Sequence, residues 1–125
     1  MSAMTAQALE NARLDGGVAM GALVGEVGNW AGVEVAPEPR FGGPMFQLGR
    51  RQLGHLHDAG EHGAFADIPL PRALRDELVE SGRARPHSAM PDSGWLRVAV
   101  RTAADLPGAV EIFRLAYERA QRKAR

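Results

Sequence analysis

The proline pattern constrains the fold of this chain more than any other feature. Pro37, Pro39 and Pro44 stand on one side of a central stretch, and Pro69-Leu70-Pro71 stands on the other. Proline cannot donate to a strand ladder, so the inner strands must lie between these two groups. Within the stretch, Met45–Leu48 and Arg51–His57 alternate apolar and polar residues around Gly49-Arg50. A Gly-X pair between two such runs predicts a tight hairpin, with Leu48 facing Arg51, Gln47 facing Gln52 and Phe46 facing Leu53. Asp58-Ala59-Gly60-Glu61 reads as a looser turn, and His62–Ile68 as a third strand that completes a meander.

The flanking segments supply helices. Residues 1–16 are rich in Ala and carry only Leu9 and Leu14 as large apolar groups, so a short or frayed helix is expected there. Asp15 is placed to cap a helix in which Met20, Leu23, Val24, Val27 and Trp30 share one face. Its glycines Gly21, Gly25 and Gly28 leave room for a close neighbour. Val33–Val35 alternates as a short strand. Pro71 begins a helix striped by Leu74, Leu78 and Val79 and ended by Gly82. Arg83–His87 is a connector or short strand, and Trp95–Val100 is a clear strand. The last helix starts at Asp105, which keeps Pro107 in its first turn, and buries Leu106, Val110, Phe113, Tyr117 and Ala120. This order predicts a single α+β domain over residues 1–125. An antiparallel sheet of about five strands would pack with N- and C-terminal helices as a two-layer sandwich.

Fifteen basic and fifteen acidic side chains cancel, so nothing draws the chain as a whole to nucleic acid or to an anionic membrane. There are no cysteines, which excludes thiolate ligands and a cysteine nucleophile. No apolar run is long enough for a membrane span, no signal peptide is expected, and the cytoplasm is the default compartment.

Three of the four histidines, His55, His57 and His62, fall inside eight residues. Strand alternation puts Leu53, His55 and His57 on one face. His62 joins them if the intervening turn pairs it with His57, and a slip of one residue sends it to the other face. Three readings stay open for these imidazoles: a metal triad, a metal-free polar pocket, or structural histidines. The fourth, His87, lies upstream of Pro91-Asp92-Ser93-Gly94, a turn that feeds Trp95. Ser93 lacks the Gly-x-Ser-x-Gly surroundings of a nucleophile elbow. Asp92 is the better candidate, as a carboxylate that orients a histidine.

Phe41-Gly42-Gly43, Gly54-His55-Leu56-His57, Asp67-Ile68-Pro69-Leu70-Pro71-Arg72, Arg85-Pro86-His87 and Pro91-Asp92-Ser93-Gly94-Trp95 occur in this order. Together they resemble the luciferase-like domain named after the fungal luciferase, in the form of its small stand-alone bacterial members. The likeness runs from about Val33 to Tyr117. It implies a compact α+β domain akin to the double-wing fold. It also implies chemistry of the fungal kind, in which a hydroxylated pyrone is oxidised by molecular oxygen without a metal or flavin. The positions that match are His55, His57, Asp67, His87, Asp92, Ser93 and Trp95.

Two functional classes follow. One is a ligand-binding domain or cofactor-independent oxygenase acting on a planar oxygenated molecule. There His55, His57, His87 and Asp92 would carry the chemistry, Phe65, Asp67, Ser93 and Trp95 would contact the ligand, and no metal or cofactor is expected. A base would make such a substrate an electron-rich anion that reacts with oxygen. The other is a non-catalytic module for a protein partner or for DNA. The neutral charge disfavours nucleic acid, but Arg50-Arg51, Arg72 with Arg75, Arg83 with Arg85, and Arg119–Arg125 could form one patch. A second copy of the chain is a further candidate partner.

Overall fold

A computed structural model of the chain describes residues 5–123. The expected fraying of the first four residues and the last position of the basic tail, Arg125, lie outside the described residues. Six strands form one antiparallel sheet: β1 (Val33–Pro37), β2 (Pro44–Leu48), β3 (Arg51–Asp58), β4 (Ala64–Pro69), β5 (Arg85–Pro86) and β6 (Trp95–Val100), in the spatial order β1-β2-β3-β4-β6-β5. The helices are α1 (Ala6–Asn11), α2 (Gly16–Val27), α3 (Arg72–Glu80) and α4 (Leu106–Lys123). The fold is the expected α+β arrangement. Its sixth strand is the two-residue β5, which pairs Arg85 with Arg97 and Pro86 with Leu96.

One sheet face holds the core. Leu23 and Val27 of α2 and Ile112, Phe113 and Tyr117 of α4 pack on Phe46, Leu56, Ala66, Ile68, Leu96, Val98 and Val100. Phe113 meets Phe46 edge to face at 5.2 Å, and the Tyr117 hydroxyl donates to the Ala31 carbonyl at 2.7 Å. Asp15 caps α2 by accepting the Val18 N–H. Close approach occurs at the two ends of this helix, because a Cβ on Gly16 would overlap the Asp58 carboxylate and one on Gly28, its C-cap, would lie 3.0 Å from Val35 Cγ2, whereas Gly21 and Gly25 have nothing within 4 Å among the described residues. At the start of α4 the Asp105 carboxylate accepts the N–H groups of Arg101 and Thr102, which leaves Pro107 in the first turn as expected.

The hairpin between β2 and β3 departs from simple alternation. Leu48 pairs with Arg51 and Gln47 with Gln52, but Phe46 pairs with Gly54 instead of the expected Leu53. Leu53 is therefore the extra residue of a β-bulge. Gly54 takes a φ of 148°, and a Cβ there would lie 2.6 Å from the Asp67 carbonyl oxygen and 2.7 Å from the Phe113 ring. The expected shared face of Leu53, His55 and His57 is accordingly corrected. Leu53 is buried in the core beneath the helices, while His55 and His57 project from the opposite face.

Candidate functional site

Beyond the bulge, sheet register builds a row across the outer face. Met45 pairs with His55, His55 with Asp67, Asp67 with Arg97, and Arg97 with Arg85. The adjacent row pairs His57 with Phe65 and Phe65 with Ala99. Directly opposed residues on one face stand within side-chain reach, so the ladder alone brings His55, His57, Asp67 and Arg97 together.

Two loops complete the cluster. β5 lies beside β6, and the segment after it sets His87 next to Trp95, with the His87 N–H pointing to the Trp95 carbonyl at 3.4 Å. The chain returns through Pro91–Gly94. Gly94 is needed there because a Cβ would sit 2.1 Å from the Leu70 carbonyl oxygen. On the other side, the loop between β1 and β2 is folded on Glu38, whose buried carboxylate accepts the N–H groups of Arg40 and Phe41 at 2.8 Å each. Gly43 lets this loop lie close to β3, because a Cβ would fall 2.3 Å from the Leu56 carbonyl oxygen. Phe41 is thereby held over the histidines although it is 60% exposed.

Asp67 is the centre of the site and is fully buried. Its Oδ2 lies 3.0 Å from His57 Nε2, 3.3 Å from His55 Nε2 and 3.3 Å from His87 Nε2. Arg97 donates Nε–H to Oδ1 at 2.8 Å and Nη2–H to Oδ2 at 3.1 Å, a bidentate pair. Burial alone would raise the Asp67 pKa. The close His55 ring, the Arg97 guanidinium and the nearby His87 outweigh burial and hold it well below the usual carboxylate range. Burial lowers the pKa of His57, helped by the neighbouring His55 and Arg97 and opposed by Asp67.

Aromatic rings wall the cluster. Phe65 stacks on His57 with centroids 4.6 Å apart, and Arg97 covers the Phe65 ring at 4.1 Å. Phe41 meets His57 edge-on at 4.8 Å, and Trp95 stands 5.5 Å from His55 and 6.3 Å from His87. The arrangement offers hydrogen-bond donors at one end and flat apolar surfaces around them.

His55, His57, Asp67, His87, Phe65 and Trp95 thus come together. His62 does not: it sits exposed in a 3-10 turn beside Glu61, because β3 leaves the pairing at Asp58 and His57 faces Phe65. Asp92 is exposed and forms no ion pair with an imidazole among the described residues. The orienting carboxylate is Asp67. Ser93 serves the turn, donating to the Met90 carbonyl at 2.7 Å and accepting the Trp95 N–H at 3.1 Å. Arg97 and Gln52 belong to the cluster but were not among the expected site residues, and Phe41 was marked only as part of the Phe41-Gly42-Gly43 segment of the family likeness. The available signal for Arg97 was a charge in mid-strand on the face shared with Trp95.

Some of the basic groups line two separate cavities, and Arg75 is buried. Arg83 and Arg85 line one of about 430 Å³ with Arg97 and Arg101, whereas Arg51, Arg119 and Lys123 line another of about 220 Å³. Among the described residues no helix is long and apolar enough to cross a membrane.

A family model described as the Luciferase domain matches residues 50–116, more than half of the chain. The match spans the three clustered histidines, Asp67, Trp95 and Arg97, and begins after the Phe41–Gly43 segment. No curated protein and no solved structure matches the chain.

Proposed function

The chain belongs to the luciferase domain family, and on that premise we propose that it binds a planar, oxygenated small molecule at the Asp67 cluster and acts on it as an oxygenase-like enzyme. One observation carries this reading. Three imidazole nitrogens lie within 3.3 Å of one buried carboxylate oxygen, on a sheet face walled by Phe41, Phe65 and Trp95. Buried polar groups converging between aromatic surfaces are the usual composition of a small-molecule site.

In this reading the rings hold the flat body of the ligand, and the cluster removes the proton of a hydroxyl group and stabilises the anion. An electron-rich anion of this kind is what reacts with molecular oxygen. The fixed Arg97–Asp67 pair keeps the imidazoles oriented without reorganisation during reaction. Trp95 supplies the test. In a Trp30→Phe variant, which leaves Trp95 as the sole tryptophan, a panel of hydroxylated 2-pyrones is titrated by fluorescence and assayed for oxygen uptake. Saturable quenching weakened about tenfold by Phe65→Ala is expected, a loss of about 1.4 kcal/mol. Absence of quenching by every member of the panel sinks the reading.

A further inference from the structure

His55 is the least satisfied group in the cluster. Its ring is buried, with 8% of the residue exposed. Its Nδ1 lies 2.6 Å from the Gln52 side-chain oxygen. An amide oxygen only accepts, so this contact calls for a proton on Nδ1 and leaves Nε2 as the nitrogen whose lone pair is free to bind a cation. That Nε2 is buried, has no hydrogen-bond partner among the described residues, and stands 3.3 Å from the negatively charged Asp67 Oδ2. A buried lone pair held against a carboxylate is costly unless something positive lies between them.

His87 behaves differently. Its Nδ1 accepts the Ala89 N–H at 3.1 Å, which places its proton on Nε2, so it donates toward Asp67. One ligand atom from each of His55, His57 and Asp67 lies within 4.8 Å of the other two. Ligands 2.0–2.1 Å from a common ion, at angles between right and tetrahedral, stand about 2.8–3.4 Å apart. The 3.3 Å and 3.0 Å separations from the two imidazoles to Asp67 Oδ2 fall inside that range.

We propose that His55, His57 and Asp67 bind a divalent transition-metal ion through two imidazole nitrogens and one carboxylate oxygen. The ligands come from positions i and i+2 of β3 and from the residue directly opposite on β4. Gln52 fixes the His55 tautomer, and Arg97 and His87 hold the carboxylate, which is the outer-shell support such sites require. A donor set of two histidines and one carboxylate leaves coordination positions open and suits ferrous iron or zinc. Arg97 already balances Asp67, so the charge of the ion calls for an anionic exogenous ligand, hydroxide or an ionised hydroxyl of the bound molecule. This departs from the metal-free chemistry that the family resemblance implies, and it stands or falls without any substrate.

The 125-residue chain, stripped with a chelator, is titrated with cobalt(II). Visible d–d absorption at one ion per chain is expected. His55→Ala should lower the affinity at least 100-fold, and Gln52→Leu, which removes a positioning residue, by about 10–100-fold with a shifted band. His62→Ala, which alters the exposed histidine, should leave binding unchanged. Circular dichroism checks the fold of each variant, and Gln52→Leu decides the matter if His55→Ala does not fold. The proposal is overturned if wild type binds less than one equivalent, or if the folded variants bind as tightly as wild type.

Discussion

Asp67 is the residue on which the outer face depends, and its environment has a measurable signature. Replacing it with Asn leaves the Arg97 guanidinium without its charge partner. Breaking a buried pair costs roughly 3–5 kcal/mol, and the part of Arg97 still in water places the expected loss near 3 kcal/mol, read from urea unfolding. The pH dependence has a defined sign. A carboxylate whose folded pKa lies below 3.8 adds stability that is complete above 3.8 and is lost as pH falls through the folded value. His57, lowered from 6.5, acts in the same direction: the folded state resists its protonation, so stability declines as pH falls below 6.5. In metal-free protein the urea midpoint should fall slightly from pH 8 to pH 5 and steeply toward pH 3, and Asp67→Asn should lose the steep part. Asp92 provides the contrast. It is exposed, and Asp92→Asn should change stability by less than about 0.5 kcal/mol and leave cobalt affinity unaltered. The histidines were legible from their residue type, and Asp67 only through the family resemblance. The choice between Asp67 and Asp92 was not, because it depends on which carboxylate the ladder brings opposite His55.

At the scale of elements, most of the chain followed from local patterning. The Asp15 cap, the start of α4 before Pro107 and the Trp95–Val100 strand were all readable, because each is set by neighbours within a few residues. The β2–β3 pairing was readable only as far as Gln47 and Gln52. The bulge after it answers to tertiary contacts, since Gly54 must pass between the Asp67 carbonyl and Phe113, which are far away in sequence. The place of His62 stayed open in the sequence because it depends on the turn after Asp58, which holds Gly60–His62 as a 3-10 segment off the sheet. Gly54→Ala should cost about 1–3 kcal/mol from backbone strain, with further loss from overlap with Phe113, measured by thermal unfolding. The same variant should weaken cobalt binding, since β3 carries two of the proposed ligands.

For the whole molecule, the sheet separates two tasks. One face is buried under α2 and α4 and supplies stability; the other presents polar groups held by the same strands. Phe113→Ala should therefore cost about 3–5 kcal/mol in unfolding free energy while the cluster geometry of the surviving fold is kept. A bound ion would link the two faces thermodynamically. At 100 times its dissociation constant it adds about 2.7 kcal/mol, and chelation should lower the melting midpoint by about 10 °C. A midpoint indifferent to both chelator and added metal would count against the site at this scale. Binding of DNA by the whole chain would require the basic groups to act together. Arg83 and Arg85 line a different cavity from Arg51, Arg119 and Lys123, Arg75 is buried, and total charge is zero, so no steep loss of affinity with salt is expected in a DNA titration.

The bulge at Leu53 works like a frame shift within a strand. What sends His55 and His57 outward is the number of residues between the Arg51 pairing and the Gly54 pairing, more than the identity of any one of them. A substitution at Leu53 changes packing but keeps the count. A deletion there changes the parity of everything upstream or downstream of it, so either the histidines turn into the core or the hairpin must rebuild its turn. The tolerance of this family member to change should thus be uneven in kind: many exchanges of residue survive at that point, and a change of length by one does not.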